Sequence, residues 1–369
     1  MKASAVDLRW MKRAFELAER GRDTVSPNPM VGAVLVRGGR VVGEGFHRRA
    51  GGPHAEIVAI RRAGARARGA DLYVTLEPCP HFGRTPPCAD ALISAGVRRV
   101  IVAARDPHPL VSGRGLRRLA RSGIAVLEAG AEWRRRAGRQ NEKFIVWVTR
   151  RRPFVLAKWA ATLDGKIATA RGQSQWITGP EARRRALGLR EEHDAVLVGA
   201  GTVAADDPRL TRRLGRDRNR FYRRIVLDGR LRIPARARLL RRAKDVLVVT
   251  AVSPTHPKAK LLARKGVEIW SIPSRERGRI DLRRLLLRLG RAGVTSLVVE
   301  GGSETLESFF QAGLVDRVTV FVSPRILGGK DAVGAVGGRG FSLSRAPILA
   351  DIECEKVGRD LMMTARPRP

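Results

Sequence analysis

The feature that most constrains this chain is a repeated switch of hydrophobic period between two and about 3.6, broken once near residue 150. "VGAVLVRGGRVVGEG" reads as a hairpin with Gly38-Gly39 as its turn. A helix after His54, the strand "DLYVTL", a helix after Cys88, the strand "RRVIVAA" and a further helix leading to "GIAVLEAG" follow. Such strand–helix alternation predicts an α/β layer whose sheet is at least partly parallel. "TRRRP", ending at Pro153, interrupts the pattern and predicts a short exposed connector at 148–153. A second alternation runs through "FVLAKWA", "DAVLVGA", "RIVLD", "DVLVVTA", "VEIWSI" and "SLVVEGG" to the strand-rich "DRVTVFVSPRIL" and "DIECEKVGRDLMMTA". Two domains are expected, 1–148 and 153–369, and a hydrophobic content of 43% suffices for a core in each.

At the N-terminus, Leu8, Met11, Phe15 and Ala18 recur at helical spacing and Asp7 can cap, which predicts a first helix over about residues 8–20 rather than a secretory signal. No apolar run of 18 residues exists, so no membrane span is expected and the location is read as cytoplasmic. Three cysteines do not make a disulfide framework, and Cys354 is expected as a buried thiol in a strand. The 72 basic against 35 acidic residues, a net charge of +37, suit a partner rich in phosphate. Nucleic acid is the obvious candidate. The arginines are nevertheless scattered through nearly every helix, no lysine-rich tail stands out, and 5% aromatic content offers few stacking platforms. The charge therefore reads as ordinary surface arginine, compatible with small phosphorylated substrates. "RRLGRDRNRFYRR", residues 212–224, reads as a solvated basic loop.

His54 and Glu56 lie two positions apart at a helix start, and alone they are an ordinary polar first turn. Cys79 follows the strand "DLYVTL", and Cys88 opens the next helix. One imidazole and two thiolates leave one tetrahedral position of a zinc ion for water, and a helix N-terminus favours the thiolate form of cysteine. Zinc lowers the pKa of such a water towards neutrality. On a regular helix the side chains of His54 and Glu56 diverge by about 200°, so His54 is the expected ligand and Glu56 the proton shuttle to a leaving amino group. That is the arrangement of zinc-dependent nucleobase deaminases.

The deaminase signature has two residues between its cysteines, whereas eight separate Cys79 from Cys88. The string "EPCPHFGRTPPC", with "SPNPMVGAV" and "HRRAGGPHAE" before it, closely resembles the deaminase domain of the bifunctional riboflavin-biosynthesis deaminase/reductase family, over about residues 5–148. The resemblance implies a cytidine-deaminase-like three-layer α/β/α fold acting on 2,5-diamino-6-(5-phosphoribosylamino)pyrimidin-4-one. It implies that Asn28 and His81 hold the pyrimidine and that "DPHPLVSGRG", Asp106 to Gly115, lines the site. The family usually has Asn where this chain has His108, and an imidazole still donates one hydrogen bond, so an altered contact is expected rather than lost activity.

The second half carries "LAKWAATLDGKIATARGQSQWITG", "LVGAGTVAADDPRLT" and "LVVEGGSETLESFF". Gly301-Gly302 after an apolar strand leaves backbone N–H groups free at a helix start, a cradle for a cofactor phosphate, although the string is not a GxGxxG fingerprint. Together these strings resemble the pyrimidine reductase domain of the same family, with a fold like dihydrofolate reductase, over about residues 153–366. The resemblance implies NADPH held by Ala160, Trp176, Thr202, Asp206 and the 302–308 turn, with Gly302, Ser303, Glu304 and Thr305 at its start. It assigns Ser174, Arg190, Leu210, Arg213 and Glu300 to the phosphorylated ribosylaminopyrimidine, where guanidinium groups suit a phosphate. The implied reaction passes hydride to the ribosyl C1 and gives a ribityl chain. The competing reading is a nucleic-acid-editing zinc deaminase with a basic RNA-binding second domain. The eight-residue cysteine gap and "EGGSETL" argue against it. The oligomeric state stays open, a homo-oligomer included.

Overall fold

Alternate residues of the first strands enter two different cores. Ala33, Leu35, Leu72, Val74, Val100 and Val102 pack on one side of a sheet, and Val34, Val36, Tyr73 and Ile101 on the other. This is the period-two signature of a sheet covered on both faces. The computed structural model describes residues 5–82, 86–214, 221–276 and 278–368, with side chains from residue 8 onward. The strands are β1 (Gly32–Arg37), β2 (Arg40–Phe46), β3 (Asp71–Val74), β4 (Arg99–Val102) and β5 (Ala125–Glu128), in the order β2-β1-β3-β4-β5. β1 pairs antiparallel with β2 and β3, whereas β3, β4 and β5 run parallel. Gly38 and Gly39, both at positive φ, make the hairpin turn.

Helices α2 (Ala55–Ala63), α3 (Cys88–Ser94) and α4 (Arg114–Arg121) cover one face; α1 (Ala5–Glu19) and α5 (Ala131–Gln140) cover the other. A further helix, α6 (Glu142–Arg150), ends this compact unit, which spans Met1–Arg151. The α/β/α sandwich has the three expected layers. Three details differ from expectation. α1 begins at Ala5, so Asp7 lies inside the helix rather than at its cap. Leu8 is 41% exposed, because the apolar stripe of α1 is carried by Met11, Ala14, Phe15 and Ala18. The pair α5 and α6 was not legible, since α5 buries only Trp133 and Ala137 among its arginines.

The second compact unit, Arg152–Pro369, repeats the logic with longer buried runs. Its strands are β6 (Phe154–Thr162), β7 (Lys166–Ala168), β8 (Ala195–Gly199), β9 (Arg223–Leu227), β10 (Val246–Thr250), β11 (Glu268–Ser271), β12 (Ser296–Val299), β13 (Arg317–Ser323), β14 (Val333–Gly334), β15 (Leu349–Val357) and β16 (Asp360–Pro367). Nine of them form a sheet in the order β11-β10-β9-β8-β12-β6-β13-β16-β15, and β7 pairs with β14. The sheet is parallel from β11 to β13 and antiparallel across β13, β16 and β15. Helices α7 (Pro180–Glu191), α8 (Ala200–Asp206), α9 (Pro257–Arg264), α10 (Leu282–Arg291) and α11 (Ser303–Gln311) connect the parallel strands. Leu285, Leu286, Leu289, Leu306 and Phe309 from α10 and α11 pack on Val155, Leu197, Leu247 and Val299; Val203 and Leu262 from α8 and α9 pack with Val196, Val226 and Val248.

Cys354 is exposed, against expectation, because β15 is the last strand of the sheet and most of its side chains face solvent. The segment 212–224 is not all solvated loop. β9 begins at Arg223, and Arg224 is 1% exposed, donating to Asp245 at 3.0 Å and to the carbonyls of Arg209 and Leu239 at 3.0 and 2.9 Å. Residues 215–220 of that segment lie outside the described residues. Among the described residues, no helix is long and apolar enough to cross a membrane.

Candidate active sites

In the first unit, the ends of neighbouring elements converge on three ligand atoms. His54 is the N-cap of α2, with ψ at 163°, and its imidazole makes no capping bond. Standing outside the helix, it escapes the divergence a regular turn would impose, so it and Glu56 face the same place. Cys88 is the first residue of α3, and its N–H donates to Cys79 Sγ at 3.4 Å. His54 Nδ1 lies 3.1 Å from Cys88 Sγ and 3.6 Å from Cys79 Sγ, and the three ligand atoms all fall within 4.8 Å of one another. Ligands of a tetrahedral zinc with these bond lengths stand about 3.5 Å apart, so the donor set and its spacing fit zinc.

The electrostatics are those of a proton-sharing cluster. A hydrogen bond from Cys88 pushes the Cys79 thiol down to about 4, with His54 acting in the same direction. The same bond, and burial, hold the Cys88 thiol up. The bond to Cys79 raises His54. Glu56, only 3% exposed, is pushed up to about 7 by burial, and its carboxylate reaches the Cys88 thiol.

Asn28 Nδ2 meets His47 Nε2 at 2.9 Å, while His47 Nδ1 meets the Pro53 carbonyl at 3.0 Å. The carbonyl takes the Nδ1 proton, so Nε2 accepts from Asn28. His81 has a buried Nδ1 with no hydrogen-bond partner among the described residues. His108 Nδ1 accepts from Leu110 N at 3.2 Å, which leaves the proton of the neutral ring on Nε2, a donor as an amide would be. Burial and His81 both lower His108. Burial pushes Asp106 up to about 6, and it too feels Cys79. Asp106 opens the stretch expected to line the site, whereas His47 and Glu77, although inside the quoted strings, were given no role from the sequence. Their partners lie six or more positions away, or are backbone groups.

In the second unit, Glu300 follows β12 and is the centre of a buried ion cluster. Arg190 Nε and Nη2, from α7, donate to its two oxygens at 2.6 Å each, and Lys158 Nζ of β6 lies 3.6 Å away. Burial would raise this carboxyl, but Lys158 and Arg190 outweigh it and hold it at about 2. Beside it, Arg212 stacks on Tyr222 at 4.4 Å, and Tyr222 donates to the carbonyl of Leu210 at 3.3 Å. Leu210 is buried at positive φ, and Arg213 N donates to Glu191 at 3.0 Å. Four expected residues, Arg190, Leu210, Arg213 and Glu300, thus share one neighbourhood, joined by Lys158, Glu191, Arg212 and Tyr222, which sequence reasoning did not single out as ligands.

Gly302, at positive φ, is the N-cap of α11, and a side chain there would press on Thr202 Oγ1. Thr305, in the first turn of α11, stands against Gly199. Thr202 and Asp206 lie one turn apart on α8, and Ser174 donates to Asp206 at 3.3 Å. Trp176 is 61% exposed, with the Arg183 guanidinium 4.6 Å over its ring and its carbonyl bound by Arg325 at 3.2 Å. Ala160 sits on β6 two residues from Lys158. Ser303 accepts from Gly337 through its carbonyl, and Glu304 is exposed. The backbone amides at this helix start, with a glycine before them, fit a cofactor phosphate.

Comparison with known proteins covers both halves. The family described as the RibD C-terminal domain matches residues 153–363, and the cytidine and deoxycytidylate deaminase zinc-binding region matches residues 4–104. The riboflavin biosynthesis protein RibD of Aquifex aeolicus is 42% identical over 358 residues, 97% of this chain and 98% of that protein. Its namesake in Escherichia coli is 40% identical over 366 residues, 96% and 97% of the two chains. Among solved structures, Acinetobacter baumannii RibD superimposes with a TM-score of 0.88 at 36% identity, covering 99% of each chain. A Thermotoga maritima diaminohydroxyphosphoribosylaminopyrimidine deaminase/5-amino-6-(5-phosphoribosylamino)uracil reductase does so with a TM-score of 0.86 at 38% identity, covering 98% of this chain and 99% of that one.

Proposed function

This chain belongs to the RibD family of bifunctional riboflavin-biosynthesis deaminase/reductases, and on that premise we propose that the two sites act in turn on one phosphorylated pyrimidine. The first deaminates 2,5-diamino-6-(5-phosphoribosylamino)pyrimidin-4-one; the second reduces the ribosyl group to ribityl with NADPH. The observation that carries the reading is the convergence of His54, Cys79 and Cys88 with Glu56 buried beside them. These relatives are riboflavin-biosynthesis proteins over nearly their whole length, which leaves the nucleic-acid-editing alternative without support.

His54, Cys79 and Cys88 would hold zinc, which supplies the Lewis acidity that makes a nucleophile of water near neutral pH. Both cysteines would have to be thiolates to hold zinc, so the proton between them would leave on binding. Glu56, buried beside the three ligands, is placed for the remaining work: it would take a proton from water and return one to the departing amine. Asn28, its amide nitrogen committed to His47, turns its carbonyl oxygen to the pyrimidine as an acceptor. His81 and His108 complete the polar wall.

In the second unit, Ala160, Trp176, Thr202, Asp206 and the Gly302–Thr305 turn would bind NADPH, which would supply the hydride that the ribosyl C1 requires. Glu300 fixes Arg190 through two of its donors and leaves Nη1 for the substrate phosphate. Ser174, Leu210 and Arg213 line the same substrate. A cytoplasmic location suits cysteine ligands that must stay reduced.

The test follows ammonia and NADPH together, with zinc-loaded protein and the diaminopyrimidine ribotide. Glu56→Gln should keep its zinc and lose about 100-fold or more of the ammonia release. Its oxidation of NADPH with the deaminated intermediate should persist. Equal loss of both activities would refute separate sites.

A further inference from the structure

Glu77 is buried, 4% exposed, two residues before Cys79, and neither site uses its charge. Its carboxylate accepts four backbone N–H groups from one stretch of chain. Oε2 accepts from Asp106 at 3.2 Å and Gly113 at 2.8 Å; Oε1 accepts from Gly115 at 2.9 Å and Leu116 at 3.3 Å. Three of these donors belong to the N-cap and first turn of α4, where a negative charge is favoured. The fourth opens the loop that leads into it. The Glu77 N–H is itself tied to the Ala104 carbonyl at 3.0 Å, two residues beyond the end of β4. A side chain on Gly115 would stand 1.9 Å from the Pro78 carbonyl, so the loop presses directly on the turn between Glu77 and Cys79. The same loop carries Asp106, which feels the Cys79 thiolate, and His108, which faces His81.

We propose that Glu77 is a positioning residue for the deamination, locking the 106–116 loop to the turn that carries Cys79. The substrate-facing groups of the loop are thereby set in register with the metal ligands. A carboxylate suits this task because all four of its contacts are donors; no neutral side chain accepts four bonds while donating none. The proposal rests on the deaminase reading of this site.

Full-length Glu77→Gln tests it, since the amide keeps the size but turns a donor toward N–H groups. Zinc per chain and the reductase rate should match the parent. The KM for the diaminopyrimidine ribotide should rise about tenfold or more while kcat stays within about threefold. Amide hydrogen exchange at Asp106, Gly113, Gly115 and Leu116 should be slow in the parent and should accelerate together in the variant. Combination with His108→Ala should raise KM by less than the product of the two single effects, because Glu77 acts through the loop. A lower melting temperature with KM unchanged would overturn the proposal and reduce Glu77 to a helix cap. So would multiplicative effects in the double variant. Where the Gln variant does not fold, Glu77→Asp withdraws the carboxylate by about one bond length of 1.5 Å and keeps its charge; the same KM split is expected, and its absence overturns the proposal. A parent that releases no ammonia defeats the deaminase reading and the proposal with it. A parent that does, beside an unmoved KM, defeats the proposal alone.

Discussion

Glu300 stays ionised in a buried place because two cations face it. Its folded pKa, about 2, is below the ordinary 4.5, so its stabilising contribution is complete above 4.5 and is lost as pH falls towards 2. Over that window the second unit should lose about 3 kcal/mol of stability from this group. Glu300→Gln should be destabilised near neutrality by a similar amount, about 3 kcal/mol, because Arg190 is left buried without its carboxylate. It should also lose the acid dependence. Urea melts of parent and variant at about pH 7 and about pH 3 check both statements: the gap between the two should narrow by about 2 kcal/mol at the lower pH. Parallel curves would mean that Glu300 is not the ionised partner of Arg190.

Elements place the ligands, and one strand residue controls the helix that carries two of the functional groups. A side chain on Gly45 of β2 would sit 2.1 Å from the Ala55 carbonyl and 2.7 Å from the Ala59 nitrogen, so α2 rests on bare backbone there. Gly45→Val should lift the start of α2 and with it His54 and Glu56. Zinc content after dialysis, and ammonia release, are expected to fall about tenfold or more while the reductase rate holds. Metal analysis beside the two assays decides it; full zinc occupancy would show that α2 adapts. The His54, Cys79 and Cys88 cluster was legible in part because two of its members sit at element boundaries that the sequence marks. His54 precedes a periodic run, and Cys88 opens another. What the sequence hid were pairings across long separations. Arg190 meets Glu300 across 110 positions, and Glu77 meets Gly115 across 38. Apolar period tells which face of an element is inward, yet not which polar groups meet once it is packed. Leu8 and Cys354 fail for a related reason: each occupies an apolar-looking position on an element with one side open to solvent.

At the scale of the molecule, arginine is not purely surface material. Arg152 donates to both oxygens of Asp316 at 2.6 and 2.8 Å, and Arg190, Arg212 and Arg224 are likewise largely buried against carboxylates or carbonyls. These cations are matched by carboxylates inside the second unit, so part of the arginine content is structural, while the net charge of +37 comes from other positions. The four hydrophobic clusters divide cleanly: two lie wholly within residues 10–137 and two within 155–315. The two compact units divide between Arg151 and Arg152. Each unit has its own core, so each should melt with its own ligand dependence. A ligand stabilises the unit that binds it by RT ln(1 + [L]/Kd), about 2.7 kcal/mol at a hundredfold excess over Kd. Calorimetry of the full chain should therefore show a chelator lowering one transition and NADPH raising the other. The zinc-dependent transition should be the one lost first in Gly45→Val, and the NADPH-dependent one should be unmoved there. A single transition that shifts with both ligands would mean that the units unfold as one, and the separate cores would then not be separate in energy.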